Sequence, residues 1–171
     1  MRLLLITFFS FTSLFGFMDT INSLSTDFEQ QITDDQNATI IYKGHMQAKR
    51  PNMAFWDYKT PVEKQLFIRE HQVVILEPEL EQAIIKNVSS DVDIFTIISK
   101  ATLIMDDTYL AYYRDMEFII KMNGNVIQSI SYEDAFENSI VLTFSNQHIN
   151  ATIEDDAFKA LIPADFDILR E

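Results

Sequence analysis

Short runs of residues that favour β-strands follow one another closely along most of this chain. The clearest boundary is Asn123-Gly124, a dipeptide that favours a hairpin turn between two apolar runs. A turn is also predicted over 34–37, and Gly44 predicts a β-bulge inside a long run. Around ten short strands with one or two helices predict a mainly β fold, an antiparallel sheet curved into a half-barrel with helices on its concave side.

A short amphipathic helix is expected before the strands, over 19–25, where Ile21 and Leu24 are three residues apart. The tail FKALIPADFDIL is a candidate for a last strand. In chain order the predicted strands are DFEQQIT, TIIYKGHMQAKR, MAFWDYK, EKQLFIRE, QVVILE, LEQAIIKNV, TYLAYYR, EFIIKM, NVIQSISY, NSIVLTF and HINATI.

One segment, SSDVDIFTIISKA, has its apolar residues at helical rather than alternating spacing. Ser90 with Asp93 forms a capping-box pattern, so a helix is predicted over 91–100. This helix is strongly apolar for one on a protein surface. We therefore expect it to cover an apolar face of the sheet.

The first 18 residues have the pattern of a secretory signal peptide, with Arg2 followed by an apolar run to Phe17. The run is short for a membrane span, although an uncleaved anchor remains the alternative. Residues 19–171 fit one domain without linker or internal repeat. Because the chain has no cysteine, no disulfide supports its fold and it cannot itself carry a lipid on cysteine.

The charge and the reactive residues favour a binding protein over an enzyme. A net charge of −13 argues against nucleic acid or an anionic membrane as a standing partner. The three histidines lie far apart without metal-ligand spacing, so no metal or cofactor is expected. No serine has the context of a nucleophile elbow, and acidic pairs such as Asp106-Asp107 fall at predicted turns.

The block KRPNMAFWDYKTP (49–61) contains the only tryptophan of the chain, two residues from a tyrosine. Alternation along a strand puts Ala54, Trp56 and Tyr58 on one face, which we expect to line a cavity. The residues between them fall on the other face. The charged Asp57 suits that face better than the lining of an apolar cavity. Core packing explains the aromatic residues but gives no reason for the arginine at the start of the block.

This block resembles that of the LolA family of periplasmic lipoprotein carriers, through KRPNMAFWDY (49–58) and Pro61 after it. The resemblance extends to LEPELEQA (76–83) and to an early DFEQ (27–30). It implies an unclosed antiparallel β-barrel with a helical lid over a hydrophobic cavity. It also implies a monomeric carrier that takes acylated lipoproteins from an inner-membrane ABC transporter across the periplasm to an outer-membrane acceptor, usually a lipidated receptor.

By the same resemblance, Arg50 holds the lid shut through hydrogen bonds to the lid backbone and releases it when cargo enters. The planar fork of an arginine suits this role because it can satisfy several carbonyl groups at once. A surface ion pair is the alternative role for Arg50. The expected acyl-chain cavity is lined by Ala54, Trp56, Tyr58, Ile94, Phe95, Ile97 and Ile98, and Pro51, Asn52, Pro78 and Gln82 support the motif.

Two positions depart from the family pattern. Ala54 stands where the family often has a phenylalanine tied to unidirectional transfer, and the aromatic Phe55 follows on the opposite face. The turn at 69–72 lacks the usual glycine. A carrier of another amphiphile, such as a glycolipid or a fatty acid, and a non-enzymatic envelope scaffold remain alternative functions.

Overall fold

The computed structural model describes residues 20–88 and 94–171. The predicted signal peptide, residues 1–18, lies outside those residues, as do Ser90 and Asp93 of the predicted helix cap. Within them the chain forms twelve β-strands, one six-residue helix, α1 (Ile94–Ser99), and two 3₁₀ turns (Pro78–Leu80 and Asp155–Phe158). The strands are β1 (Ser23–Thr33), β2 (Thr39–Lys49), β3 (Met53–Thr60), β4 (Lys64–Arg69), β5 (Gln72–Glu77), β6 (Gln82–Asn87), β7 (Thr102–Met105), β8 (Thr108–Tyr113), β9 (Met116–Asn123), β10 (Val126–Glu133), β11 (Ser139–Ile149) and β12 (Asp167–Arg170).

All twelve strands belong to one sheet, in the order β12-β6-β5-β4-β3-β2-β1-β11-β10-β9-β8-β7. Neighbouring strands are antiparallel except β12 and β6, which run parallel. Strands β12 and β7 are the two edges, so the sheet does not close into a barrel. The predicted unclosed, mainly antiparallel sheet is confirmed, with twelve strands rather than about ten.

The turns lie where turn-forming residues allow them. Asn123 pairs with Val126 across the β9–β10 hairpin, and Gly124 has a φ of 58°, a conformation that favours glycine. In the predicted turn over 34–37, Asn37 has a φ of 62° and donates its N–H to the carbonyl of Asp34 at 3.0 Å. Both predicted turns are confirmed.

Gly44 lies where two strands approach too closely for a side chain. The register of β2 against β3 shifts between Lys43 and Gly44, and the extra residue of this bulge, Lys59, is on β3. A Cβ atom on Gly44 would overlap the carbonyl oxygen of Asp57 and would lie 3.0 Å from Cε1 of Phe28. The predicted irregularity is confirmed, and its cause is this close backbone approach.

The two faces of the sheet bury separate hydrophobic clusters. The larger contains side chains from β1, β2, β3, α1, β8, β9, β10 and β11. Because β3 and β8 are six places apart in the sheet order, the sheet curls around this cluster, with α1 on its concave side. The smaller cluster, on the convex side, is built on Phe67, Val74 and Leu76, and Ile162 and Phe166 of the C-terminal segment pack against it.

Three details of the predicted pattern are wrong. The helix expected over 19–25 is replaced by strand β1 from Ser23 onward, because Leu24 and Phe28 alternate into the larger cluster. Strand β11 combines most of NSIVLTF with the first two residues of HINATI, and residues 150–153 form no strand of their own. Strand β7, all four of whose residues are exposed, has no counterpart in the prediction. The last strand expected from the tail is present as β12.

Candidate functional site on the helix-covered face

Helix α1 fills the concave side of the curled sheet. Phe95 and Ile98 are each 1% exposed, so the helix inserts its side chains rather than resting on the surface. No helix within the described residues has the length and apolar character to cross a membrane. The larger cluster and the side chains packed against it include all seven residues predicted to line a cavity, Ala54, Trp56, Tyr58, Ile94, Phe95, Ile97 and Ile98. In this closed arrangement the helix occupies the interior.

The aromatic side chains of β3 divide between the two faces of the sheet. The ring of Phe28 lies 5.0 Å from those of Trp56 and Tyr58, edge to face with each, on the concave side. Trp56 and Tyr58 stack on each other at 6.4 Å. Phe55 points the other way and stacks on Phe67 at 4.6 Å in the smaller cluster. The alternation predicted along β3 is confirmed.

Arg50 connects helix α1 to the segment that enters β1. Its side-chain Nε donates to the carbonyl of Ile21 at 2.8 Å, and its backbone N–H donates to the carbonyl of Asn22 at 2.9 Å. Its guanidinium lies 5.0 Å from the ring centroid of Phe95, a cation–π contact with the helix. Within the described residues, the side chain of Arg50 therefore forms its hydrogen bond with Ile21. Its contact with the helix is with the aromatic ring of Phe95.

The four motif residues shape turns rather than line the cluster under α1. Asn52 Nδ2 donates to the carbonyl of Glu70 at 2.9 Å, and the N–H of Glu70 donates to the carbonyl of Asn52 at 3.1 Å. These bonds join the β2–β3 turn, which contains Pro51, to the β4–β5 turn. Pro78 begins the 3₁₀ turn after β5, and Gln82 is the first residue of β6.

A group of polar side chains lies in the same interior, at the end of β3 remote from Arg50. Tyr42 and Tyr58 pack edge to face at 5.8 Å, and Lys64 Nζ lies 4.7 Å from the ring centroid of Tyr58. The Tyr58 hydroxyl donates to Gln30 Oε1 at 3.2 Å. Of these residues, only Tyr58 was selected from the sequence. The others come beside it through the pairing of β1 with β2 and of β3 with β4, which the sequence alone does not show.

Tyr132 of β10 packs against the same larger cluster and lies near enough to Tyr58 to affect its pKa. We call Tyr42, Tyr58, Tyr132 and Lys64 the tyrosine end. Burial raises the pKa of Tyr58 well above its ordinary value, and nearby Tyr132 and Tyr42 raise it further. Burial also raises the pKa of Tyr132. Both hydroxyls therefore stay protonated at physiological pH and remain hydrogen-bond donors.

An open pocket of about 600 Å³ adjoins the tyrosine end. Tyr132 and Met116 line it, and both also pack against the larger cluster. Its other lining residues include Glu117, Ile119, Ser131 and Glu133, which alternate with the inward-facing residues of β9 and β10 and so belong to the outer face of the sheet. The tyrosine end itself lies next to solvent, since Tyr42, Lys64 and Tyr132 are only partly buried.

A hydrogen-bonded chain of Ser25, His45 and Asp27 lies on the convex side, where the sequence had shown no nucleophile and base together. Ser25 Oγ is 3.0 Å from His45 Nε2, and His45 Nδ1 is 2.8 Å from Asp27 Oδ1. Hydrogen bonds from Asn146 and then His45 lower the pKa of Asp27. The order matches a catalytic triad, but the side chains of His45 and Asp27 are 39% and 46% exposed on the outer face of the sheet, unlike the enclosed groups of such a site. We interpret the chain as a half-exposed polar network.

Comparison with known proteins agrees with this geometry. Residues 19–108 match the family described as "Outer membrane lipoprotein carrier protein LolA". An outer-membrane lipoprotein carrier protein of Campylobacter jejuni is 39% identical over 166 residues, covering 97% of both chains. Its counterpart in Helicobacter pylori strain P12 is 30% identical over 138 residues, covering 81% of this chain and 74% of that protein.

Solved structures support the fold. A LolA superfamily protein from Nitrosomonas europaea superposes with a TM-score of 0.52 at 10% identity, over 82% of this chain and 91% of that one. At this identity the likeness concerns the fold alone. It agrees with the unclosed sheet described above.

Proposed function

Because the chain belongs to the LolA family of outer-membrane lipoprotein carriers, we propose that it binds the acyl chains of lipoproteins on the concave side of its sheet and carries them between the two membranes. The observation that carries this proposal is the position of α1, whose buried Phe95 and Ile98 occupy the space that acyl chains would take. A carrier needs such an apolar interior, since each exposed methylene costs about 0.8 kcal/mol.

The helix is suited to leave this position. Isolated helices shorter than about 12–15 residues are marginal in water, so α1, of which Ile94–Ser99 is described, depends on the side chains that it buries. Acyl chains entering the interior would replace Phe95, Ile97 and Ile98 as apolar partners of the sheet. Opening would therefore exchange one set of hydrophobic contacts for another at small net change in free energy.

Arg50 is the proposed latch of this helix. Its bond to the carbonyl of Ile21, a fully buried residue, fixes the guanidinium, and the fixed guanidinium holds the ring of Phe95. Because the bond to Ile21 does not involve the helix, only the contact with the buried Phe95 ring is lost on opening. That contact contributes about 2 kcal/mol to the closed state, or about thirtyfold in the ratio of closed to open protein.

Replacing Arg50 with leucine tests the latch. We expect Arg50→Leu to slow delivery of a lipoprotein to outer-membrane fractions by about tenfold, because an interior that no longer recloses keeps its cargo. The measurement is the amount of labelled lipoprotein delivered per minute, together with the thermal unfolding temperature.

The matched control for the latch is Arg69→Leu, at an exposed position at the end of β4. It removes the same charge away from the helix and should deliver cargo at the wild-type rate. Wild-type delivery by Arg50→Leu would show that Arg50 is not a latch.

The remaining features of the proposal concern the surroundings of the carrier. We propose that the chain works in the periplasm, where the predicted signal peptide would direct it. An inner-membrane ABC transporter would supply cargo, and an outer-membrane acceptor, in related carriers a lipidated receptor, would receive it. The carrier would perform no chemical step, since lipid transfer needs only an apolar site that opens and closes.

Native mass spectrometry of the protein purified from the periplasm tests the cargo. We expect a population that carries an acylated polypeptide. A species with free lipid only would instead identify a carrier of another amphiphile. A bare mass, even with a lipoprotein co-expressed, would favour the envelope scaffold and overturn the proposal.

A further inference from the structure

The contacts of the tyrosine end define its position along β3. About 17 Å of strand separates Met53, next to the Arg50 turn, from Tyr58. Between them the concave side is apolar, with Trp56 of β3 and Met46 of β2 facing inward. The interior is thus asymmetric along the strands, with the arginine at one end and hydroxyl groups at the other.

The tyrosine end offers hydrogen-bond donors inside an apolar space. A tyrosine combines an apolar ring with one hydroxyl, and Lys64 adds an ammonium group held over the rings of Tyr58 and Tyr42 at 4.7 and 5.8 Å. Alkyl chains need no such donors. Buried carbonyl oxygens do, because leaving one unsatisfied costs about 1–3 kcal/mol.

Lipoprotein cargo brings carbonyl oxygens of this kind, in the ester bonds that join its acyl chains to glycerol. Resting on the proposed function, we propose that the tyrosine end binds these ester carbonyls. The donors are the Tyr132 hydroxyl, the Lys64 ammonium and the Tyr58 hydroxyl, which exchanges its bond to Gln30 for one to the ester. The acyl chains then extend from the tyrosine end towards Arg50. The polypeptide leaves at the same end, where Tyr42, Lys64 and Tyr132 are only partly buried.

Two ligands that differ only at the ester bonds test this assignment. The first is a peptide that begins with S-dipalmitoylglyceryl cysteine, and the second is its dihexadecyl ether analogue, which lacks both carbonyl oxygens. Trp56, the only tryptophan of the chain, lies 6.4 Å from Tyr58 and reports binding by fluorescence. We expect the protein to bind the ester about tenfold more tightly than the ether.

Conservative variants locate the donors. Tyr58→Phe, Tyr132→Phe and Lys64→Met should each weaken ester binding by about five- to tenfold and leave ether binding unchanged. Tyr112→Phe is the matched control, since Tyr112 is 62% exposed, and should change neither. Thermal unfolding of each variant verifies that it is folded.

The outcomes separate the two proposals. Equal affinity for ester and ether, or variants that weaken both ligands alike, would overturn the tyrosine assignment and leave the carrier function intact. Failure of the wild-type protein to bind either ligand would overturn the carrier function, and the tyrosine assignment with it.

Discussion

A single methyl group added at Gly44 is expected to lower the free energy of unfolding by about 2–4 kcal/mol. The Cβ atom of Gly44→Ala would overlap the carbonyl oxygen of Asp57, with the carbonyl carbon at 2.9 Å. These atoms belong to the backbone of β3 and cannot rotate away as a side chain would. Relief requires that β2 and β3 separate, which would weaken the hydrogen bonds beside the bulge and disturb the packing of Phe28. Chemical denaturation followed by circular dichroism measures the loss.

Gly124→Ala is the matched control for this prediction. Gly124 has a φ of 58° and no atom within 4 Å of a Cβ placed there, so alanine adds backbone strain without a clash. We expect a loss of about 1–2 kcal/mol at that position. If Gly44→Ala proved no more damaging than Gly124→Ala, the close approach of β2 and β3 would not govern stability.

Truncation of Phe158 is expected to cost about 3–5 kcal/mol, the usual range for a buried phenylalanine changed to alanine. Phe158 is 1% exposed and ends the 3₁₀ turn that packs against β3 and β4. Its ring anchors the segment that continues through Ile162 and Phe166, which cover the smaller cluster, to β12. Phe158→Ala should therefore also speed amide hydrogen exchange in β6, which loses its parallel neighbour when this segment detaches.

Leu161→Ala provides the comparison within the same segment. Leu161 is 85% exposed, and its truncation should change stability by less than about 0.5 kcal/mol. Similar losses for the two variants would mean that the segment is held as a whole and not by the Phe158 anchor. If Phe158→Ala left the free energy of unfolding unchanged, the Phe158 ring would contribute nothing to the stability of the fold.

Local sequence was sufficient to predict most of the strands and turns of the sheet. Asn123-Gly124 and the polar turn over 34–37 mark hairpins through backbone chemistry that acts within a few residues. The alternation in MAFWDYK assigned the two faces of β3 because an antiparallel sheet buries different side chains on each side. The apolar spacing of 91–100 likewise indicated a helix, of which Ile94–Ser99 is described.

Features that depend on contacts between residues far apart in the chain could not be predicted from local sequence. The segment at Ile21 and Leu24 has helical spacing, but pairing with β2 and β11 makes it extended. The parallel pairing of β12 with β6 depends on the path of the C-terminal segment across the convex side. For the candidate site, Tyr58 could be chosen from its strand, whereas Tyr42, Lys64 and Tyr132 needed the register and the curl of the sheet.

The unpaired edges of the sheet have a mechanical consequence. A closed barrel has its radius fixed by strand number and stagger. Here β12 and β7 are separate ends of a row of eleven strand pairs, so a small change of twist at each pair widens or narrows the space inside without breaking a backbone hydrogen bond. The enclosed volume is thus an elastic property of the whole sheet. Cargoes with different numbers of acyl chains would bend the sheet to different extents. The volume of the interior would therefore adjust to the volume of the cargo.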